Sequence, residues 1–238
     1  MKKFIKVFRK SLDLLRHNLH VTMGTPPAFG TRERDNVYVP ERQTFIDAFR
    51  VLSLPYLSSK TKETAFQILN RTIWTNNKSF KSGLCPSPQC YRCEEIETME
   101  HLIYLCPNYA EILWVEFGQV LTQTIAQFTA EYTARIELTA KEIIFNKPHP
   151  AILLRITDKL TRYIILVTIQ EIKRSIIFRR MQLSEPTRQE VPRIRMQAHL
   201  LSVTRKLISL LEYQGVVQNK TPILFLTSLS STIISNVQ

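Results

Sequence analysis

The cysteines are the feature that most limits how this chain can fold. All four lie between residues 85 and 106 of a 238-residue chain. Thiols this close together in sequence need a common explanation, and their spacing indicates a metal site. Cys90 and Cys93 form a C-x-x-C turn, which His101 and Cys106 follow. Three sulfurs and one imidazole are a donor set that tetrahedral Zn²⁺ takes in structural sites.

The residues between the candidate ligands predict a short helix over Met99–Leu105, with Thr98 as its N-cap. On an ideal α-helix, His101 and Cys106 would point about 140° apart, which is poor geometry for one ion. Pro107 resolves this difficulty, because a residue that precedes proline is disfavoured in α geometry. We therefore expect Cys106 to leave the helix and turn back toward the metal.

Three alternatives compete with this interpretation. Disulfides need an oxidising compartment, but the N-terminus lacks the continuous apolar segment of a secretory signal, so we expect a reducing, intracellular compartment. Four unrelated buried thiols would not cluster in this way. A different ligand set is also possible, in which Cys85 replaces His101 or Cys90. Four protein ligands leave no open coordination position, so the predicted Zn²⁺ is structural.

A longer pattern surrounds the predicted ligands. It consists of Thr64–Trp74, Thr75-Asn76-Asn77, Cys90-x-x-Cys93, Glu97-Thr98, His101-Leu102, Cys106 and Trp114. This pattern resembles the zinc-binding region that follows the polymerase in reverse transcriptases of non-LTR (LINE-type) retrotransposons. The resemblance covers roughly residues 55–115, about a quarter of the chain. The resemblance implies that the chain is a detached C-terminal piece of a retroelement protein. It also implies that the intracellular compartment could be the nucleus as well as the cytoplasm.

The charge of the chain suggests its partner. A net charge of +12 favours polyanions, nucleic acid (DNA or RNA) before anionic lipid. No apolar run approaches the ~18–20 residues of a membrane span. Near the predicted zinc site, the candidate phosphate contacts are Arg71, Lys78, Lys81 and Arg92. A solvated basic surface is the equally plausible alternative.

Composition and periodicity predict a mainly α fold, an irregular helical array with a small structural Cys-Cys-His-Cys zinc knot in mid-chain. Only five glycines and 44% hydrophobic residues support this. The predicted helices are Lys2–His20, Glu41–Leu54, Lys60–Trp74, Tyr109–Phe128, Thr139–Phe145, Ala151–Met181 and Arg193–Tyr213. Phe66 and Trp74 are expected in the core and Asn76–Lys81 in a polar turn, while the apolar tail 223–237 is left undecided.

This organisation suggests three regions. Residues 1–40 form a basic N-terminal helix and linker, 41–128 a helical zinc-binding domain of the reverse-transcriptase C-terminal type, and 129–238 a basic helical region. The sequence leaves the oligomeric state open.

Enzyme motifs are missing from the sequence. It contains no Asp-Asp pair, P-loop, G-x-S-x-G or H-E-x-x-H pattern. Asp158-Lys159 has no second acid beside it, so a nuclease is rejected as well. We therefore expect a non-catalytic, retrotransposon-derived zinc protein that binds nucleic acid. The alternatives are a zinc-stapled helical scaffold for protein interactions and a retroelement remnant without activity.

Overall fold

The structure is a computed structural model that describes residues 42–53, 56–130, 134–182, 192–213 and 221–235. The predicted helix Lys2–His20 and the linker 21–40 lie outside these residues. The described part is helical and contains no strand beyond an isolated bridge between Gln89 and Ile96, which confirms the mainly α class. No helix in it combines the length and apolarity needed to cross a lipid bilayer.

The helices are as follows. They are α1 (Arg42–Val51), α2 (Ser59–Leu69), α3 (Asn76–Lys81), a π-helix (His101–Leu105), α4 (Ala110–Thr129), α5 (Ala140–Ile143), α6 (Pro150–Arg155), α7 (Lys159–Gln182), α8 (Pro192–Tyr213) and α9 (Thr221–Ser235).

The core lies between the long helices. Helix α9 packs on α8 and α4, α8 packs on α7, and α2 packs on α7. Phe225 of α9 is fully buried and meets Phe128 edge to face, with ring centroids 5.6 Å apart. The described part of the undecided tail, residues 223–235, therefore belongs to a helix docked on the core. This packing joins helices of the predicted region 41–128 (α2 and α4) to helices of the predicted region 129–238 (α7, α8 and α9).

Helix α7 shows how burial overrides local propensity. Its centre, residues 163–169, is rich in β-branched side chains that disfavour a helix. Ile164, Ile165 and Val167 are nevertheless helical and buried, as expected for a segment that tertiary packing holds in place. The prediction of one helix over Ala151–Met181 is wrong, because the chain leaves helical geometry between α6 and α7. There the Asp158 carboxylate accepts hydrogen bonds from the Thr161 backbone N–H and hydroxyl, both at 2.7 Å.

Helix α2 ends earlier than the periodicity predicts. Asn70 caps it after Leu69, and Arg71 adopts a left-handed backbone with φ of 55°. The chain direction changes there, so Trp74 is 52% exposed and its predicted core position is wrong. Phe66, also predicted to be buried, is 41% exposed and packs edge to face on Phe49.

Residues 76–81, predicted as a polar turn, form the short helix α3 instead. The Thr75 hydroxyl accepts the Lys78 backbone N–H at 3.4 Å, which satisfies one free donor of the first turn. Helix α3 then leads into the cysteine-rich loop.

Candidate metal centre

The first two candidate ligands lie on a tight turn. The Cys90 N–H donates to the Glu95 carbonyl at 2.7 Å, and the Glu94 N–H donates to the Cys90 carbonyl at 3.1 Å. Glu94 adopts a left-handed backbone with φ of 63°, which lets the chain reverse directly after Cys93. The Gln89–Ile96 bridge closes the base of this turn. The C-x-x-C segment therefore presents both thiols to the same side.

The other two ligands are carried by the π-helix. As predicted, Thr98 caps the helical segment that begins at Met99 and continues into the π-helix, because the Thr98 hydroxyl accepts the His101 backbone N–H at 3.0 Å. The Cys106 N–H donates to the His101 carbonyl at 2.8 Å, which closes a π turn instead of an α turn. Cys106 then adopts extended geometry, with φ of −63° and ψ of 109°, as expected for a residue before Pro107.

The π turn solves a problem of spacing that the sequence left to Pro107 alone. His101 and Cys106 are five residues apart, and a π turn contains about one residue more than an α turn. Both side chains can therefore point to the same side. The sequence carries no signal for the π turn, because it appears only as a shift in the backbone hydrogen bonds.

The four side chains converge as the spacing predicts. Their sulfur and nitrogen ligand atoms all lie within 4.8 Å of one another. The Cys93 sulfur is 3.2 Å from His101 Nε2, and the Cys106 sulfur is 4.0 Å from the sulfurs of Cys90 and Cys93. In a tetrahedral thiolate site with metal–sulfur bonds of ~2.3 Å, sulfurs lie about 3.8 Å apart. These four residues could therefore hold a metal ion.

A disulfide does not explain this cluster. All four cysteines are free, and the sulfur–sulfur separations of 4.0 Å are far longer than the ~2.05 Å of a disulfide bond. Cys85, the possible alternate ligand, lies outside the cluster. Its thiol instead donates to the backbone carbonyls of Ser87 at 3.1 Å and Asn76 at 3.4 Å.

The surroundings of the three sulfurs shift their pKa values in different directions. The hydrogen bond from the Cys106 thiol lowers the pKa of Cys90 well below its ordinary value, and the same contact raises the pKa of Cys106. Burial raises the pKa of Cys93. Backbone hydrogen bonds act in the opposite direction. The bond from Glu95 lowers the pKa of Cys93, and the bond from Asn108 lowers the pKa of Cys106. A backbone hydrogen bond from Arg92 likewise contributes to the lowered pKa of Cys90. Each sulfur thus has a donor that stabilises negative charge.

The imidazole is oriented by a carboxylate. His101 is buried, and its Nδ1 lies 3.4 Å from Glu95 Oε2. A carboxylate on one ring nitrogen fixes the proton there and leaves the other nitrogen free to bind a metal. Here the other nitrogen, Nε2, is the one that faces Cys93.

A buried ion pair connects this loop to the long helix α7. The Glu97 side chain is 1% exposed and accepts hydrogen bonds at 2.8 Å from Arg180 Nε and from the Asn76 backbone N–H. Arg180 Nη2 lies 2.7 Å from the same carboxylate oxygen. Arg180 also donates to the Asn76 side-chain oxygen at 2.8 Å, and the Asn76 side-chain amide donates to the Gln89 carbonyl at 2.7 Å. Sequence reasoning missed Arg180, because it lies 83 residues from its partner.

A second anchor holds the π-helix against α4. The indole N–H of Trp114 donates to the Ile103 carbonyl at 2.7 Å, and both residues are buried. Glu97, Asn76 and Trp114, three residues of the pattern quoted above, therefore fix the position of the loop and do not belong to the ligand set.

The four candidate phosphate contacts have different surroundings. Lys78 donates to the backbone carbonyls of Arg71 and Ile73, and its partial burial lowers its pKa. The Arg71 guanidinium lies 3.2 Å from Glu100. The Arg92 guanidinium lies 3.5 Å above the Tyr109 ring, whereas Lys81 is exposed at the end of α3.

Their role as nucleic-acid contacts stays a prediction. Lys78 and Arg71 meet at the end of α2, and Arg92 lies in the cysteine turn. Of the four, Arg71 and Lys81 are exposed, whereas Lys78 and Arg92 are half-buried.

Comparison with known proteins adds no relative. No family model matches the chain, and no curated protein or solved structure is significantly similar to it. The function must therefore be inferred from the cluster and its surroundings.

Proposed function

We propose that Cys90, Cys93, His101 and Cys106 bind a structural Zn²⁺, and that the chain is a non-catalytic, retrotransposon-derived protein that binds nucleic acid beside this site. The observation that carries the proposal is the convergence of three sulfurs and one imidazole nitrogen within 4.8 Å. Zn²⁺ takes this donor set with tetrahedral geometry. With all four positions filled by protein, the ion serves to hold the loop in place.

The loop contains little regular secondary structure. Among its described residues, 82–98 contain no helix, and their one element of sheet pairing is the isolated Gln89–Ile96 bridge. Residues 99 and 100 are helical and lead into the π-helix. Its contacts with the rest of the fold include the Glu97–Arg180 pair, the hydrogen bonds of Asn76, and the hydrogen bond from the Asn108 amide to the Arg92 carbonyl. A metal that joins the turn at Cys90 to the helix end at Cys106 would add a cross-link between the two halves of the loop.

The charge of the surrounding sequence supports a nucleic-acid partner. Between Glu63 and Glu94 the chain has no acidic residue, yet it has four basic ones, Arg71, Lys78, Lys81 and Arg92. Clustered cations attract phosphates and release counterions, so binding is largely independent of sequence and falls steeply with salt. The resemblance to the zinc-binding region of non-LTR retrotransposons supports the same partner.

A protein-interaction scaffold is the second candidate. The observation that favours it is the exposure of Leu84 and Ile96, two large apolar side chains on the loop. Arg71 and Lys78 also make internal contacts, which reduces the number of cations that face solvent freely. In this alternative the metal staples the helices, and the partner is another protein.

The proposal is tested by fluorescence anisotropy with labelled single-stranded and duplex oligonucleotides over a range of salt concentrations. We expect the logarithm of the binding constant to fall linearly with the logarithm of salt, with a slope of about −2 to −4 for a few phosphate contacts. Lys81→Glu should weaken binding, and Lys206→Glu, on the exposed face of α8, is the matched control. Absence of salt-dependent binding to any oligonucleotide would overturn the nucleic-acid part of the proposal.

A further inference from the structure

Three aromatic side chains in the segment that contains α3 and the cysteine turn are unusually accessible. Trp74, Phe80 and Tyr91 are 52%, 47% and 70% exposed. Tryptophan and phenylalanine usually bury most of their surface, so exposure of several in one stretch marks an interaction site. The other tryptophan, Trp114, is buried in the core. The exposure of Trp74 therefore needs an explanation of its own.

The three aromatic residues belong to one connected substructure. Trp74 directly precedes the cap of α3, Phe80 lies on α3, and Tyr91 lies in the cysteine turn. The Asn76 side chain, two residues after Trp74, donates to the carbonyl of Gln89, two residues before Tyr91, at 2.7 Å. These aromatic side chains are thus attached to short, hydrogen-bonded elements and not to a long flexible loop.

Cations are interleaved with these aromatic side chains. Lys81 is exposed and follows Phe80, and Arg71, about half exposed, precedes Trp74. Residues 64–93 contain no acidic side chain. The Arg71 guanidinium lies 3.2 Å from Glu100, so a phosphate at Arg71 would share or replace this partner. Aromatic faces with interleaved cations are the combination that binds single-stranded nucleic acid, because bases stack on the rings while phosphates pair with the cations.

We infer that Trp74, Phe80 and Tyr91 form a base-stacking surface for single-stranded nucleic acid, whose phosphates face Lys81 and Arg71. This inference rests on the proposed function and makes it more specific. In a duplex the base faces are already stacked on one another, so the exposed rings gain little from it. The surface should therefore prefer single strands, either DNA or RNA.

The test measures anisotropy of labelled single-stranded DNA, single-stranded RNA and duplex DNA with the metal-loaded protein and its variants. Trp74→Ala, Phe80→Ala and Tyr91→Ala should each weaken single-strand binding about 5- to 150-fold, since one stacked base contributes ~1–3 kcal/mol. Duplex affinity should stay within about twofold. Tyr213→Ala, a fully accessible aromatic position on α8, is the matched control and should bind like the wild type.

Tryptophan fluorescence gives a second readout that unfolding would not imitate. Trp74 and Trp114 are the two tryptophans of the chain, so the emission of Trp74→Phe isolates buried Trp114. Addition of a single-stranded oligonucleotide should quench the wild-type emission and leave Trp74→Phe unchanged, while Trp74→Phe should retain most of its affinity. The metal content of each variant checks that the site remains formed.

The outcomes separate this inference from the function on which it rests. Salt-dependent binding of single strands that the three alanine variants retain in full would overturn the stacking surface and leave nucleic-acid binding intact. Equal affinity for single strands and duplex would do the same. No binding to any oligonucleotide would overturn both.

Discussion

A buried lysine gives the sharpest prediction about stability. Lys173 of α7 is 0% exposed, and burial lowers its pKa to about 7. Its amino group donates to the Asn146 side-chain oxygen at 2.8 Å, which also accepts the Gln170 amide at 2.5 Å. No carboxylate forms an ion pair with Lys173 within the described residues. A neutral amine is therefore the form that suits its surroundings.

The sign and size of the effect of Lys173 on stability follow from the pKa of its amine in the folded and in the unfolded chain. In the unfolded chain the pKa is about 10.5, so between about pH 7 and 10.5 the unfolded state binds a proton that the folded state does not. Stability therefore rises with pH across this window. Below pH 7 both states are protonated, and the cost to the fold is fully present. A pKa difference of this size corresponds to a cost on the order of 4–5 kcal/mol at or below pH 7.

Lys173→Met removes the amine and keeps an unbranched side chain of similar length. We expect the free energy of unfolding to increase by about 3 kcal/mol at pH 7, because loss of one hydrogen bond to Asn146 offsets about 1 kcal/mol of the gain. By pH 10 the gain should fall to about zero. The assay is urea unfolding followed by circular dichroism at several pH values, with Lys206→Met as the exposed control.

Destabilisation by Lys173→Met at pH 7 would refute this reasoning. So would a gain that does not change with pH, because the difference between the two proteins would then not arise from protonation of the amine.

Two further predictions concern packing and the metal site. Gly118→Ala should lower the free energy of unfolding by ~2 kcal/mol, although this change usually stabilises a helix, because the new Cβ would lie 2.4 Å from the Ile136 carbonyl oxygen; a raised melting temperature would contradict it. Arg180→Met should weaken metal binding about 10-fold, as measured by competition with a chelator, because the buried Glu97 carboxylate loses its ion-pair partner and the loop loses its anchor to α7. Arg180→Lys should restore part of the affinity and Lys206→Met should leave it unchanged, whereas equal affinities in all of these variants would contradict the positioning role.

Cysteine spacing was enough to predict which four side chains converge, because a C-x-x-C turn followed closely by His101 and Cys106 brings them together through local chain geometry. The effect of Pro107 on Cys106 was predictable for the same reason, since it depends on two adjacent residues. The long-range contacts were not predictable. Arg180 reaches Glu97 only because α7 packs behind the loop, and no local pattern records which distant cation fills that position.

The errors in helix boundaries have a common origin. Apolar periodicity continues through the ends of α2 and α6, so it extends the predicted helices too far. The breaks are made by polar side chains that bind the backbone: Asn70 at the end of α2 and Asp158 at the start of α7. The exposure of Trp74 follows from the first of these breaks, which turns the chain away from the core.

The metal content of the purified protein tests the central claim most directly. It should be measured by inductively coupled plasma mass spectrometry for the wild type, His101→Ala and Cys85→Ala. We expect about one zinc ion per chain in the wild type and in Cys85→Ala, and little or no zinc in His101→Ala. Absence of zinc from all three proteins, or its loss from Cys85→Ala but not from His101→Ala, would contradict this expectation.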